Sequence, residues 1–379
     1  MIYNLCNCYR FLFVLLFFFF QVIIPLRASC HPDDIKVLMQ IKDHFSGWNG
    51  DDCCNWDVVT CSDDENHLSR ITGFHLTGFF EASIANVSGE IPRVIGDLPF
   101  LEILDFDNLP KLTGSIPETI ANLSNLMVIT LADVNLTGPI PEFLSQIKTL
   151  QSIQFLNCGL SGTIPSSLSL LPDLGVLILS GYVPLYLFFF LLLYYNVLYY
   201  IFIVANTKYT SINLVLFVYI NFRLKLNGSI PESFGSFKSE LGILRLDTNG
   251  LSGPIPKSLG QANINQLYLN HNQFTGDASF LFTSDKPMER VILSDNHFKF
   301  NFSYVDLPWR LNYIDLSYNE LYGSLPRRLG QLQLRYVNFR NNQLCGKFPK
   351  GRRLKQFSPI GFTNNMCLCD APGLPPCNK

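Results

Sequence analysis

Five aspartates, Asp105, Asp133, Asp247, Asp295 and Asp315, stand on or beside short apolar alternations. Two carboxylates about 5–9 Å apart could cleave a glycosidic bond, one as acid and the other as base or nucleophile. Aspartates on an exposed strand face more often bind or solubilise. No glycine-rich phosphate loop, His-Glu-x-x-His or kinase signature accompanies them. The residues between the buried strand positions form a better candidate surface. One column reads His75, Asp105, Thr130, Gln154, Ile178, Arg245, Tyr268, Ile292, Asp315 and Asn338. The next adds Asp107, Ala132, Leu156, Ser180, Asp247, Asn270, Ser294, Ser317 and Arg340. This mixture of aromatic, guanidinium, amide and acid groups suits a protein partner, with fewer than about a third carrying the energy. The sequence implies neither catalysis nor a cofactor nor a metal.

Two repeating patterns must position these residues. Gly-x-Ile-Pro occurs at Gly89–Pro92, Gly114–Pro117, Gly138–Pro141, Gly162–Pro165, Gly228–Pro231 and Gly253–Pro256, with variants at Gly323–Pro326 and Gly346–Pro349. The glycines step by 25, 24, 24, 66 and 25 residues. A near-constant period in this range marks a solenoid. Ten copies of Leu-x-x-Leu-x-Leu accompany it, among them "LEILDF", "LMVITL", "LGILRL" and "LNYIDL". Alternation sends the leucines inward and the intervening residues outward from a short strand. A single repeat cannot bury its own apolar face, so repeats must stack into one parallel concave sheet. Asn249, Asn272, Asn296, Asn319 and Asn342 follow their strands at near-constant spacing and read as a side-chain ladder. Cys158 takes the same slot in its repeat and reads as a buried structural thiol. The proline of each Gly-x-Ile-Pro should start the convex segment, where its missing N–H costs little. The predicted fold is an α/β repeat solenoid of about ten repeats, a right-handed superhelix with a 3-10 or short-helix convex side.

Charge and cysteines set the compartment. Residues 1–28 hold Arg10, an apolar core from Phe11 to Ile24 and a small residue at Ala28, with Ser29 next, which together read as a secretory signal peptide. Its removal leaves 26 cations and 30 acids, net −4, with no basic run of the kind that binds nucleic acid. Four cysteines gather in the 29–68 segment (Cys30, Cys53, Cys54, Cys61) and four in the 345–379 segment (Cys345, Cys367, Cys369, Cys377). Two disulfide caps in an oxidising compartment fit better than zinc at Cys367-Leu-Cys369, which has no histidine nearby. Sequons fall at Asn86, Asn122, Asn135, Asn227 and Asn301, outside the exposed strand columns.

The pattern is that of a plant-type leucine-rich repeat array, and several stretches sharpen the likeness. "CHPDDIKVLMQIKDHF" with "DDCCNWDVVTC" resembles the N-terminal cap of plant extracellular repeat proteins. "GDASFLF", "FNFSYVDLP", "LCGKFPKGRRLKQF" and "NNMCLCDAPGLPPC" resemble the polygalacturonase-inhibiting proteins. That resemblance implies bridges Cys30–Cys53, Cys54–Cys61, Cys345–Cys367 and Cys369–Cys377. It also implies a secreted, monomeric cell-wall glycoprotein that binds fungal or insect endopolygalacturonase through its concave face. Pectin or another cell-wall polysaccharide is a second candidate partner. The repeat fold alone would equally serve an apoplastic or receptor-associated module binding a peptide or protein.

One step departs from the period. The step from Gly162 to Gly228 is 66 residues, 42 more than one repeat. The surplus, about residues 181–222, separates repeats 69–180 from repeats 223–344, and Leu185–Val204 within it is apolar but for Asn196. Its Phe, Leu, Tyr, Ile, Asn and Lys are the residues of AT-rich codons, and excising it restores the period. It reads as intron-derived sequence. A membrane-spanning reading would make the protein membrane-associated, with one disulfide cap in a reducing compartment and a raw apolar end on each half.

Overall fold

The computed structural model describes residues 30–44, 52–63, 69–78, 87–181, 224–238, 240–370 and 373–377. The expected signal peptide, Asn86 and residues 182–223 lie outside them. Among the described residues the main sheet has eleven strands. The first, Val59–Asp63, pairs antiparallel with Ser69–Thr77, and every later neighbour is parallel. Ten stacked repeat strands therefore follow a capping strand, in agreement with the ten copies of the leucine motif. In Ile103–Leu109, for example, Leu104 and Phe106 are fully buried while Ile103, Asp105 and Asp107 are partly exposed.

Each Gly-x-Ile-Pro carries the chain from this sheet to the convex side. Gly89, Gly114, Gly138, Gly162, Gly228 and Gly253 all have φ between 77 and 105°. Only glycine takes that conformation without a steric penalty. The isoleucine that follows drops into the core, and the proline becomes the residue just before a 3-10 turn, as at Pro117 before Glu118–Asn122 and Pro256 before Lys257–Gln261. The prolines thus sit one position before the turn rather than inside it, where their fixed φ sets the entry direction.

The asparagine ladder is present and longer than the sequence suggested. The side-chain oxygen of Asn272 accepts from Leu251 N at 3.1 Å, and its amide donates to the Leu246 and Leu269 carbonyls at 2.9 and 3.1 Å. Asn296, Asn319 and Asn342 repeat the arrangement. Asn365 adds a sixth rung, accepting from Leu344 N and donating to Phe339 O. An unpaired buried peptide group costs about 1–3 kcal/mol, so each amide removes a sizeable penalty. Repeats nearer the N-terminus put Leu109, Val134 and Cys158 in the slot, all fully buried. With no amide to turn the chain, Ile103–Leu109 and Val128–Val134 run on for seven residues and pair as far as Leu109 with Val134.

The array is continuous on either side of residues 182–223. Val176–Ser180 pairs in register with Leu241–Arg245, and Ser161–Gly162 with Lys225–Gly228. The Asn249 amide donates to Leu179 O at 2.8 Å, and Gly181 N donates to Asp247 O at 3.2 Å.

Disulfides close both ends. Cys30 bonds Cys53 and Cys54 bonds Cys61 beside helix Pro32–His44. The buried Asp34 of that helix accepts from Arg70 Nη2 at 2.7 Å and from Ile71 N at 2.9 Å, fastening the cap to the first repeat strand. At the other end Cys345 bonds Cys367 and Cys369 bonds Cys377. These bonds use the sulfurs that a metal reading of Cys367 and Cys369 would have required.

Candidate concave binding face

Cross-strand register assembles the first predicted column residue by residue. His75 faces Asp105, Asp105 faces Thr130, Thr130 faces Gln154 and Gln154 faces Ile178. Ile178 then faces Arg245, Arg245 Tyr268, Tyr268 Ile292, Ile292 Asp315 and Asp315 Asn338. In the second column Asp107 lies in register with Ala132, and Ala132 with Leu156. Asn270 is half-buried and links to the preceding repeat through Thr248 N–H to its carbonyl at 2.9 Å.

Asp247 departs from the expected contact surface. It is 1% exposed and accepts from Arg245 Nε at 2.7 Å. Its strand ends at Arg245, and the Asn249 rung draws the chain inward two residues later, so simple alternation no longer holds there. Asp247 positions Arg245 and offers a partner almost no surface. Ser317 is buried for the same reason.

A third exposed column, two residues before the first on each strand, was not read from the sequence. It runs Gln266, Arg290, Tyr313, Tyr336 in register. With Arg245 and Tyr268 it forms a continuous belt. The Arg245 guanidinium lies 5.2 Å from the Tyr268 ring centre, and Arg290 Nη1 donates to Tyr268 Oη at 3.1 Å. Arg290 also covers Tyr313 at 4.6 Å, Tyr313 stacks on Tyr336 at 4.4 Å, and Tyr336 Oη donates to Asp315 at 3.2 Å. Burial first, and then the Asp315 charge, push the Tyr336 phenol up to about 12, so it stays a donor. Arg and Tyr are preferred anchors at interfaces, and mutual stacking reduces the ordering cost of presenting them. The signal was legible in "MERVIL", "LNYIDL" and "LRYVNF", at the residue before the first buried strand position.

The other half of the face is acidic. Burial, followed by the charges of Asp133 and Asp105, raises Asp107 to about 7. Burial also raises Asp133, whose carboxylate accepts from Asn157 Nδ2 at 2.5 Å. A raised carboxyl beside an ionised one can serve acid–base chemistry. Here the three groups stand along an open sheet, and binding is the simpler use. A carboxyl raised on folding favours the folded state at low pH and opposes it once ionised. Stability from this cluster should therefore fall as pH rises from about 4 through about 7. Asp107→Asn is expected to remove much of that dependence. It should gain on the order of 1 kcal/mol at pH 7.5 after allowance for screening, and little at pH 4, in urea titrations at the two pH values.

Among the sequons, Asn122 is exposed at the end of a convex turn and Asn227 on the flanking strand Lys225–Gly228. Asn135 and the turn-capping Asn301 also lie off the three columns. Lys148 follows the convex turn Glu142–Gln146 and is exposed.

A capped parallel solenoid with a three-column concave face defines a leucine-rich repeat protein of the binding type. The leucine rich repeat N-terminal domain family matches residues 31–62, and the Leucine Rich Repeat family matches residues 310–332. The chain is 37% identical to a polygalacturonase inhibitor of Pyrus communis, across 93% of each chain. It belongs to the polygalacturonase inhibitor family. Among solved structures, a plant ice-binding protein superposes with a TM-score of 0.76 at 34% identity, covering 92% of this chain and 99% of that one. The plant peptide hormone receptor RGFR1, in complex with RGF2, gives 0.53 at 28% identity, over 70% of this chain and 36% of the receptor. Among the described residues no helix is long and apolar enough to cross a membrane.

Proposed function

We propose that this chain is a secreted plant defence protein that binds and inhibits fungal or insect endopolygalacturonase through its concave face. Family membership names the class of partner, and the belt from Arg245 to Tyr336 is the observation that carries the choice of face. It is broad, pre-organised by its own stacking and free of sequons among the described residues. The acidic half around Asp105 and Asp107 gives the same face a second charge, so a partner would be fixed in orientation as well as held. Titrating a fungal endopolygalacturonase with the purified protein, with reducing-sugar release as readout, should give saturable loss of activity. Full activity at excess protein, with folding verified, would dismiss the inhibitor reading. The likeness to a receptor bound to a peptide hormone supports a second reading, recognition of an extended peptide along the same sheet. Peptide capture without enzyme inhibition would favour it.

A further inference from the structure

We propose that the N-terminal cap contains a disulfide-exchange site, in which opening of the Cys54–Cys61 bond lets Cys54 take Cys30 from Cys53. The adjacent cysteines of "CCNW" put two bridges on neighbouring residues, so their sulfurs come together. The sulfurs of Cys30, Cys53 and Cys54 all lie within 4.8 Å of one another. The four bridged cysteines of the C-terminal cap form no such group among the described residues. All three N-terminal sulfurs are in bridges, so the group offers no thiolate to a metal. One carboxylate holds the backbone for the exchange. Asp52 Oδ1 accepts from Cys30 N and from Cys54 N, both at 3.2 Å, and Asp52 Oδ2 accepts from Asn55 Nδ2 at 2.7 Å. Cys30 and Cys54 therefore sit side by side although no bond joins them.

Burial sets the order of events. Cys30 and Cys53 are 2% and 0% exposed, while Cys54 and Cys61 are half-buried, so a dithiol reductant reaches the Cys54–Cys61 bond first. That dithiol gives up two electrons and two protons, closes to a disulfide, and leaves thiols on Cys54 and Cys61. The Cys54 thiol then loses its proton to water, and its sulfur attacks Cys30 Sγ. The Cys30–Cys54 bond forms as the Cys30–Cys53 bond breaks, and the departing Cys53 sulfur takes a proton back. One bond is reduced in all, and the thiols end on Cys53 and Cys61. The two parts of the cap fare differently. Cys61 lies in the edge strand Val59–Asp63, which loses its tether. Helix Pro32–His44 starts just after Cys30 and stays bound to the turn at Cys53 and Cys54, with Asp34 still on Arg70 and Ile71. The exchange is a redox-responsive device that frees the first strand and keeps the helix.

The test treats the full chain with one equivalent of dithiothreitol at about pH 8, traps thiols by alkylation and maps the bridges by mass spectrometry. Among molecules with one N-terminal bond reduced, Cys30–Cys54 with alkylated Cys53 and Cys61 should be within about 10-fold of Cys30–Cys53 in abundance. It should form about 10-fold more slowly one pH unit lower, because the thiolate attacks. Cys61→Ser, which leaves Cys54 free from the start, should hold both Cys30–Cys53 and Cys30–Cys54. The wild-type measurement stands without that variant. Asp52→Ala should lower the exchanged share about 10-fold through lost positioning, and Asp52→Asn, which keeps an acceptor oxygen, should restore it. Hydrogen exchange of the trapped species should be faster than native in Val59–Asp63 and native-like in Pro32–His44. Intact Cys30–Cys53 alone beside alkylated Cys54, in wild type and in Cys61→Ser, would overturn the proposal, and so would an unchanged share in Asp52→Ala. Equal exchange among Cys345, Cys367, Cys369 and Cys377 would also overturn it, by marking indiscriminate scrambling.

Discussion

Cys345→Ser is expected to cost about 2–5 kcal/mol of stability, or to prevent folded protein from accumulating. The bond joins residues that face each other in register on adjacent parallel strands, with Cα atoms 4.2 Å apart. It therefore fastens Cys367–Cys369 as the last rung over an apolar end that includes Leu344, Phe362 and Leu368, all buried. Without that rung a solenoid exposes its core to water at one end, and fraying can propagate inward repeat by repeat. Cys158→Ser should be milder. Its thiol is fully buried and pushed up to about 12 by that burial, so it packs as a small apolar group rather than reacting. Urea titrations of both variants, with mass spectrometric mapping of the bridges, check this. A Cys345 variant as stable as wild type, or a native bridge to Cys158, would contradict it.

Deleting residues 182–223 should give a secreted monomer that melts no lower than the full chain and accumulates to higher yield. The repeat frame on the two sides already meets without them. Val176–Ser180 and Leu241–Arg245 are in register, and Asn249 bonds Leu179 across the junction. Leu224 is 1% exposed and Gly181 is buried, so both edges of the junction already belong to the core. Removing a long apolar stretch also removes an aggregation hazard. Thermal melting and size-exclusion chromatography of the secreted products test this, and sequencing the mature transcript across the codons for Leu179 and Leu226 addresses the intron origin. A deletion protein that melts lower, or fails to leave the cell, would show that the fold depends on the segment.

The repeat was legible because its physics is local. A Gly-x-Ile-Pro period and an inward leucine pattern permit one kind of stacking, and Asn272 or Asn296 can be recognised as a rung from spacing alone. Asn365 was missed because "FTNNMC" in the cap lacks the leucine pattern that draws attention to the other rungs. Asp247 was misplaced because alternation was carried past the strand end, where the ladder amide turns the chain. Asp107 follows the alternation because its strand, lacking that amide, runs on through Leu109. The tyrosine–arginine belt depends on residues about 23 positions apart being stacked. Arg290, Tyr313 and Tyr336 look unrelated along the chain and become neighbours only across repeats.

The central claim is that the concave belt holds the partner enzyme. Calorimetric titration of a fungal endopolygalacturonase with wild type, Arg245→Ala, Tyr268→Ala, Arg290→Ala and Lys148→Ala tests it most directly. Arg245 and Arg290 are held by Asp247, Tyr268 and Tyr313, so each truncation removes a pre-organised anchor. Each belt variant should bind about 1–3 kcal/mol more weakly, while Gln154→Ala, a smaller polar contact, should lose less. Lys148→Ala, on the convex side, should bind as wild type does. Unchanged binding by all three belt variants, with loss in the Lys148 variant, would contradict the account.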